Sequence, residues 1–287
     1  GDRIRSERML YDYTVKNTKF AGPTMFSRGD TSYINQQGEV IGRQRSTSIR
    51  YFAEEAARIA GDYGESREDP VWSDEDLVKI NDQKFEYYRS FLELGHEKRL
   101  FVKVGDVLPT CPIGPHTVAS FTTEWRAYIM TVWGASREVD ALENSTLEAG
   151  WLPEMSRDLE GAKVDPSQAD GLYKGPSRGH VQPRYAQLIG LPRGYGYGAS
   201  MGAWILDYLT NWVGEWGEIV HSNMQYRSPA FTGDVTYLDG TVLDVGHDEQ
   251  SGQPVASIEV VMTNQREEVM ATGRAELRLP TEDLPAG

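Results

Sequence analysis

The chain has 287 residues and a formal net charge of −14, and hydrophobic residues make up 39% of it. This length suffices for two modules of roughly 100 to 150 residues, and the composition is that of a globular protein. The acidity and the lack of a long run of Lys and Arg argue against a nucleic-acid-binding protein, and no stretch approaches the ~18 continuous apolar residues of a membrane-spanning helix.

The N-terminal part divides into a strand block and a charged stretch. The charged stretch follows the strand-like opening of the chain and has helical spacing at Ala53–Ala60 and Ser73–Ser90. We therefore predict a partial module at residues 1–57, a surface linker at 58–97 and a C-terminal module at 98–287.

Cys111 is the only cysteine, so the chain cannot form an internal disulfide. This favours a reducing compartment, and we expect a cytoplasmic protein. Because Cys111 lies between Thr110 and Pro112 in a loop-like stretch, we interpret it as an unreactive residue and not as a nucleophile.

A long segment at about 138–178 is rich in Gly, Pro, Ser and acidic residues. Segments of that length without secondary structure inside a compact domain are usually functional loops or disordered ones. We therefore predict an insertion in the C-terminal module.

The segment Ser200–Val213 predicts a buried helix. Its large apolar side chains recur at helical spacing: Met201, Trp204, Ile205, Tyr208, Leu209 and Trp212. Ser200 is expected to cap the N-terminus of this helix, and Gly214 is expected to end it. A broad aromatic face of this kind suits a helix that lies against a sheet.

Strand patterns follow this helix. Val255–Met262 is β-branched and apolar, as a central strand should be, and Val269–Leu279 alternates apolar and polar residues. Two earlier strands are predicted around Ile219–Tyr226 and Val235–Val245. The predicted order is therefore one long helix and then four antiparallel strands.

The opening block repeats part of this strand pattern. Asn35-Gln36-Gln37-Gly38-Glu39-Val40 corresponds to Asn264-Gln265-Arg266-Glu267-Glu268-Val269, and Gly1-Asp2 corresponds to Gly233-Asp234 at nearly the same spacing. A helix and a strand precede the Gly-Asp of the second copy, whereas nothing precedes that of the first. We therefore expect a duplicated module whose first copy is incomplete at its N-terminus, with further residues upstream of Gly1 in the natural protein.

Several short motifs follow one another between Phe101 and Pro280: Val104-Gly105-Asp106-Val107-Leu108-Pro109, Gly114-Pro115-His116-Thr117-Val118, His180-Val181-Gln182-Pro183-Arg184-Tyr185-Ala186, Gly190-Leu191-Pro192, Gly198, Arg227-Ser228-Pro229 and Gly233-Asp234. In this order and at these spacings, with the helix Ser200–Val213 among them, they resemble the MaoC-like dehydratase and (R)-specific enoyl-CoA hydratase family. The block before Tyr51 resembles the strand half of the related N-terminal dehydratase module.

This resemblance implies an α+β, double hot-dog fold, in which an antiparallel sheet wraps a long central helix. It implies a carbon–oxygen lyase that adds or removes water at the 2,3 position of an acyl-CoA or acyl-carrier thioester. Coenzyme A would be part of the substrate, and no separate cofactor is expected. A homo-oligomer or a pair with another hot-dog chain is expected, without nucleic acid or membrane as a partner.

The chemistry needs a base to activate water, an acid to protonate the α-carbon and donors for the thioester oxygen. By the resemblance, His180 falls on the family's catalytic histidine. Gly198 falls on the glycine whose backbone N–H binds the thioester oxygen, helped by the helix dipole. The missing side chain of Gly198 would let the thioester approach the backbone.

The aspartate of the family's acid–base pair does not carry over. The family has it five residues before the histidine, where this chain has Gly175, and Gly175-Pro176-Ser177-Arg178-Gly179 contains no acid. Asp170, or Asp165, in the insertion is the candidate replacement. Arg178 is a candidate to hold a phosphate or carboxylate of the substrate.

Tyr195 and Tyr197 flank the turn before the helix and are candidates to line the pocket or to donate a hydrogen bond to the substrate. Packing in the core is the alternative for both. The other histidines (His96, His116, His221 and His247) show no paired spacing with Cys or acids, so no metal site is predicted.

Two other functions stay open at this point. A thioesterase on the same fold would need a carboxylate or an activated water near the thioester carbon, with Glu215 or Asp207 as candidates. A non-catalytic hot-dog subunit that completes the tunnel of an active partner would explain the missing aspartate.

Overall fold

The computed structural model describes residues 1–62, 68–129, 178–181, 183–249 and 251–282. The chain forms two compact units: unit 1 comprises Gly1–Arg67 with Pro183–Pro192, and unit 2 comprises Glu68–Gln182 with Arg193–Gly287. The domain boundaries predicted from the sequence stay a prediction, and the predicted insertion lies outside the described residues except for its end at Arg178.

The described elements alternate strands and helices. In chain order they are β1 (Arg5–Thr18), β2 (Gly22–Ile34), β3 (Val40–Tyr51), α1 (Ala53–Asp62), α2 (Asp74–Leu92), β4 (Val107–Ile113), α3 (Val118–Ile129), α4 (Arg178–Val181), α5 (Pro183–Leu188), α6 (Gly198–Val213), β5 (Glu218–Tyr226), β6 (Thr236–His247), β7 (Pro254–Asn264) and β8 (Val269–Arg278). Within these ranges no helix combines the length and the apolar character needed to cross a membrane.

Unit 1 is built on an antiparallel sheet of three strands in the order β1-β2-β3. Two ion pairs join neighbouring strands at directly opposed positions, Arg28 with Asp12 and Arg45 with Asp30. Most side chains of β1 and β3 are exposed. The sheet of unit 1 therefore depends mainly on its backbone ladders and on cross-strand pairs.

In unit 1, α1 contacts α5, and the residues that follow α5 pass close to α1. Gly190 has a φ of +84°, and a Cβ on it would lie 2.7 Å from the backbone carbonyl of Ala56 in α1. The hydroxyl of Tyr51 donates to the Ile189 carbonyl at 3.2 Å. Glycine is thus required at position 190 both by the backbone conformation and by the close approach of α1.

Unit 2 is a five-stranded antiparallel sheet in the order β4-β6-β7-β8-β5, with α6 as its buried helix. The core joins α6 to the inward side chains of the strands: Met201, Ile205, Tyr208, Leu209, Trp212 and Val213 from the helix, and Leu238, Val242, Ile258, Val260, Met262, Ala275 and Leu277 from the sheet. The predicted order of one long helix followed by four antiparallel strands is confirmed. This is also the arrangement that the resemblance implies.

The ends of α6 match the prediction at one end only. The helix stops at Gly214, which has a φ of +79°, as predicted. It begins at Gly198 with Tyr197 in the N-cap position, and the Tyr197 side chain makes no capping hydrogen bond. The prediction of Ser200 as the cap is therefore wrong, because Ser200 lies inside the first turn.

Two segments are more ordered than the sequence suggests. Cys111 belongs to strand β4, opposite Leu238, and not to a loop. Its thiol is buried, and burial raises its pKa to about 12, which fits an unreactive cysteine. Helix α2, which was predicted to lie in a surface linker, contributes Tyr87 to the core of unit 2, where its ring stacks on Tyr208 at 6.0 Å.

The internal repeat recurs as the same hydrogen bonds in both hairpins. In unit 1, Asn35 Oδ1 accepts the backbone N–H of Glu39 at 3.0 Å, and Asn35 Nδ2 donates to the Glu39 carboxylate at 2.7 Å. In unit 2, Asn264 Oδ1 accepts the backbone N–H of Glu268 at 3.2 Å, and Asn264 Nδ2 donates to the Glu268 carboxylate at 2.6 Å.

The repeat extends to the Gly-Asp positions. The side-chain amide of Gln36 donates to Asp2 at 3.0 Å, and that of Gln265 donates to Asp234 at 2.8 Å. Residues matched by sequence alone therefore make matched contacts, which supports a duplicated module.

Candidate functional site

A buried ion pair anchors the loop that leads into α6. Nη2 of Arg193 lies 3.1 Å from each carboxylate oxygen of Asp234, and Nη1 donates to the carbonyl of Thr232. Arg193 is 5% exposed and Asp234 is 1% exposed. Because buried charges are costly unless they stay paired, we expect this contact to restrain the loop.

The residues after Arg193 run beside the segment that precedes Asp234. The Gly196 N–H donates to the Ala230 carbonyl at 2.7 Å, and the Thr232 N–H donates to the Gly194 carbonyl at 2.8 Å. This short antiparallel contact places Tyr195 and Tyr197 directly before the first turn of α6.

His180, in the short helix α4, packs against these tyrosines. Its ring centroid lies 4.1 Å from that of Tyr195 and 5.1 Å from that of Tyr197, and the side chain is buried. Nδ1 is 2.8 Å from the backbone carbonyl oxygen of Tyr195. A carbonyl oxygen only accepts, so this contact assigns the proton to Nδ1 and leaves the lone pair of the neutral ring on Nε2.

The electrostatic surroundings favour the neutral form of His180. Burial lowers its pKa, and the hydrogen bond to Tyr195 only partly offsets this effect. The side chain is therefore a neutral imidazole near neutral pH, with Nε2 available as a base.

The start of α6 offers backbone donors. The N-cap residue Tyr197 makes no side-chain capping hydrogen bond, and a Cβ placed on Gly198 would meet no described atom within 4 Å. The N–H groups at a helix start lack partners inside the helix, and the dipole there favours negative charge. A carbonyl oxygen that gains charge during a reaction would be stabilised at this end of the helix.

Helix α3 supplies a carboxyl group that the sequence analysis missed. Glu124, the only acidic residue of α3, lies near the side chains of Ser200 and Trp204 in α6, whose donor groups favour its charged form. Burial is the main cause of a raised pKa for Glu124, and the two donor groups lower it by less.

One oxygen of Glu124 has no partner. Oε2 is shielded from solvent, and among the described residues nothing hydrogen-bonds to it. The helix that carries Glu124 lies against both α4 and α6, which carry His180 and Gly198. The signal in the sequence was a lone acid in an otherwise mostly uncharged helix, and it is too weak to be noticed without the fold.

His116 is a packing residue beside this site. Its ring stacks on Trp204 at 5.1 Å with an interplanar angle of 8° and on Phe121 at 5.1 Å. Its Nε2 is 2.8 Å from the hydroxyl of Thr236, and burial lowers its pKa to about 4. His116 therefore holds the Trp204 ring in place as a neutral side chain.

The carboxylates proposed for a thioesterase lie elsewhere in unit 2. Asp207 is exposed and nine residues beyond Gly198 in α6, which is about 14 Å along a helix axis. Its carboxylate accepts from Asn211 at 3.1 Å, and Glu215, beyond the helix end, contacts His96 at 2.9 Å. The structure does not bring either carboxylate to the start of α6.

Several predicted residues have no described geometry. Asp165, Asp170 and Gly175 lie outside the described residues, and of Arg178 only the backbone, at the start of α4, is described. The roles predicted for these residues stay predictions. Within the described ranges, no group of three or more His, Cys, Asp or Glu side chains is arranged to hold a metal ion.

No protein-family model matches the sequence, and no curated protein matches it. Several solved structures are similar to this chain. The chain is similar to a MaoC-like dehydratase with a TM-score of 0.55 and 14% identity over 97% of this chain and 70% of that one. It is similar to a protein from Chloroflexus aurantiacus J-10-fl described as a MaoC domain protein dehydratase, with a TM-score of 0.53 and 11% identity over 98% and 71% of the two chains.

A third similar structure is a conserved hypothetical protein from Mycobacterium tuberculosis that has a double hotdog fold. Its TM-score is 0.50, with 10% identity over 97% of this chain and 70% of that one. Identities this low speak for the fold and not for the reaction. The chain has the double hot-dog fold that is found among MaoC-like dehydratases.

Proposed function

We propose that unit 2 catalyses the reversible addition of water at the 2,3 position of an acyl thioester, with an acyl-CoA as the substrate class. The proposal joins the double hot-dog fold to one arrangement of groups. A buried neutral imidazole lies against the rings of Tyr195 and Tyr197, and Tyr197 is the N-cap residue of α6.

The observation that carries the proposal is the hydrogen bond from His180 Nδ1 to the Tyr195 carbonyl at 2.8 Å. It fixes the ring and its tautomer, so Nε2 is the basic atom. A base held in this way removes a proton from water as the oxygen adds to C3 of an enoyl thioester.

The thioester oxygen gains negative charge when water adds, because the electrons of the double bond move toward the carbonyl. We assign its stabilisation to the backbone N–H of Gly198 and the positive end of the α6 dipole. Both Tyr195 and Tyr197 contact the ring of His180, and we assign to them the lining of the substrate site, with Tyr195 also holding His180 through its carbonyl.

The test is hydration of enoyl-CoA thioesters of different chain length and branching by the wild type and by His180→Ala. We expect turnover by the wild type and a loss of about 10²- to 10⁴-fold in kcat for the variant, since a positioned base contributes that much. His247→Ala is the matched control, because His247 is exposed at the end of β6.

Three results would oppose the proposal. Release of free CoA thiol without hydration would indicate a thioesterase. Activity that appears only after addition of a second hot-dog chain would indicate a non-catalytic subunit, and the mass of the active species in solution separates this case from a homo-oligomer. Equal turnover by the wild type and His180→Ala would remove His180 as the base.

A further inference from the structure

Glu124 lies where a carboxyl group can act on a ligand bound at the start of α6. Ser200 and Trp204, whose side-chain donor groups act on its carboxyl group, are four residues apart and therefore share one face of α6. Ser200 follows Gly198 by two residues, which is about 3 Å along a helix axis. The carboxyl group thus lies over the first turn of α6, beside the helix start assigned to the thioester oxygen.

The bonding of Glu124 is not that of a carboxylate with a purely structural role. A carboxylate that only tied α3 to α6 would be expected to have both oxygens satisfied, because a buried polar atom without a partner costs about 1–3 kcal/mol. Oε2 is buried and has no partner among the described residues. An unsatisfied carboxyl oxygen on a helix that contacts the helices of His180 and Gly198 calls for a functional explanation.

Among the described residues, the causes that act on the pKa of Glu124 are burial, which raises it most, and the donor groups of Ser200 and Trp204, which lower it. His180, on α4, faces the same helix start and has a lowered pKa, also through burial. Both groups are therefore shifted toward their neutral forms, a carboxylic acid and an imidazole.

We propose that Glu124 is the general acid of the reaction and delivers the proton that C2 of the thioester receives. This rests on the proposed function and names the carboxyl group that the sequence lacks at Gly175. The proton is carried by Oε2, the oxygen without a hydrogen-bond partner.

The proton balance closes with these two residues. Nε2 of His180 takes a proton from water while the hydroxide oxygen forms a bond to C3. The electron pair of the C2–C3 double bond moves to C2 and takes the proton from Oε2. An imidazolium and a carboxylate remain, and transfer of one proton from the first to the second restores both. Elimination of water follows the same steps in reverse.

The test compares Glu124→Gln with the wild type in the enoyl-CoA hydration assay. The amide keeps an oxygen for Ser200 and Trp204 but has no carboxylic proton, so we expect kcat to fall about 10²- to 10⁴-fold while KM changes less than about threefold. The fall of kcat at alkaline pH, where the wild type loses the acid form, should be absent from the variant. Glu75→Gln, on the exposed face of α2, is the matched control.

Two further measurements keep the result decisive. Glu124→Asp retains an acid and should recover part of the lost kcat even if the amide disturbs packing. The infrared band of a protonated carboxyl group in the wild type at neutral pH should be missing from Glu124→Gln. A folded Glu124→Gln protein with wild-type kcat would overturn this inference and leave the hydratase proposal standing. A wild type inactive on every enoyl thioester would overturn the hydratase proposal itself.

Discussion

The hairpins of units 1 and 2 contain the same hydrogen bonds in different surroundings. Asn35 and Asn264 close their turns through matching contacts to the chain four residues on. Asp2, however, is exposed, whereas Asp234 is buried and pairs with Arg193. The local sequence therefore specifies the turn in both copies, but it does not specify what is packed on it.

This difference indicates how a repeated module acquires a site. Unit 2 adds a buried helix to the strand pattern and an arginine that ties the loop before that helix to the repeated aspartate. Among the described residues of unit 1, the strands carry neither feature. We therefore expect the loop with Tyr195 and Gly198 to depend on this ion pair as well as on its own backbone hydrogen bonds.

The largest expected effect is a difference between the two units when the repeated aspartate is removed from each. Asp234→Ala leaves the buried Arg193 with the more exposed Asp69, at 3.9 Å, as its remaining acidic neighbour. We therefore expect the free energy of unfolding of unit 2 to fall by about 3 kcal/mol. Asp2→Ala, the matched change in unit 1, should cost less than about 0.5 kcal/mol because its site is exposed. Denaturant unfolding followed separately in each unit by hydrogen exchange measures both values.

The outcome also bears on the site. Loss of the ion pair frees the loop that positions Tyr195, so Asp234→Ala should lose hydration activity even where it remains folded, whereas Asp2→Ala should not. Equal costs for the two variants would mean that burial does not distinguish the two copies, and the comparison would fail.

The next largest effect is that of mildly acidic pH, which should lower the free energy of unfolding of unit 2 more than that of unit 1. Every histidine of the chain lies in unit 2. His116 has a pKa of about 4 in the folded chain, below the ordinary value of about 6.5. Between these values the unfolded chain binds more protons, so stability falls as the pH falls. At pH 5 the loss from His116 is of the order of 2 kcal/mol.

The measurement is the free energy of unfolding of unit 2 at pH 7 and pH 5 for the wild type and His116→Gln. The variant should show a smaller difference between the two pH values, while His221→Gln, an exposed control on β5, should keep the wild-type difference. His180 adds to the loss in the same direction, so the dependence should shrink and not vanish. An unchanged difference in His116→Gln would contradict the assigned pKa.

The periodicities of the sequence predicted most of the fold of unit 2, because a long helix with one apolar face and alternating strands are local signals. The candidate site was less accessible. His180 and Gly198 came from a resemblance, but the tautomer of His180 depends on the Tyr195 carbonyl, which only the folded loop brings near. Glu124 was missed because Ser200 and Trp204 are more than 70 residues away in the chain. No local spacing reports such a contact.

The burial of α2 was hidden for a related reason. Its charged residues give it the appearance of a surface helix, but Ile80 and Tyr87 are buried. Two apolar positions in a helix of 19 residues are a weak periodic signal, and only the packing of Tyr87 on Tyr208 shows their role.

The smallest expected effect comes from substituting a turn position where the two hairpins share a backbone conformation but have different residues. Gly38 has a φ of +87° and the matched Glu267 has a φ of +62°, so both turns need the left-handed conformation but only unit 1 has glycine there. That conformation costs a residue with a side chain about 1–2 kcal/mol, and glycine gives back part of this gain through its freedom in the unfolded chain. Glu267→Gly should therefore stabilise the β7–β8 hairpin by about 0.5–1 kcal/mol. Gly38→Ala should destabilise the β2–β3 hairpin by about 1 kcal/mol.

Hydrogen exchange of the strand amides on either side of each turn measures both changes. The exposed side chain of Glu267 has no hydrogen bond or ion pair among the described residues, so its removal changes the backbone preference and little else. If both variants shift their hairpins in these directions, the two turns have the same conformational requirement and differ only in how well the sequence meets it. If Glu267→Gly loosens its hairpin, the left-handed residue in unit 2 is held by contacts that unit 1 lacks, and the likeness of the two copies ends at their side-chain hydrogen bonds.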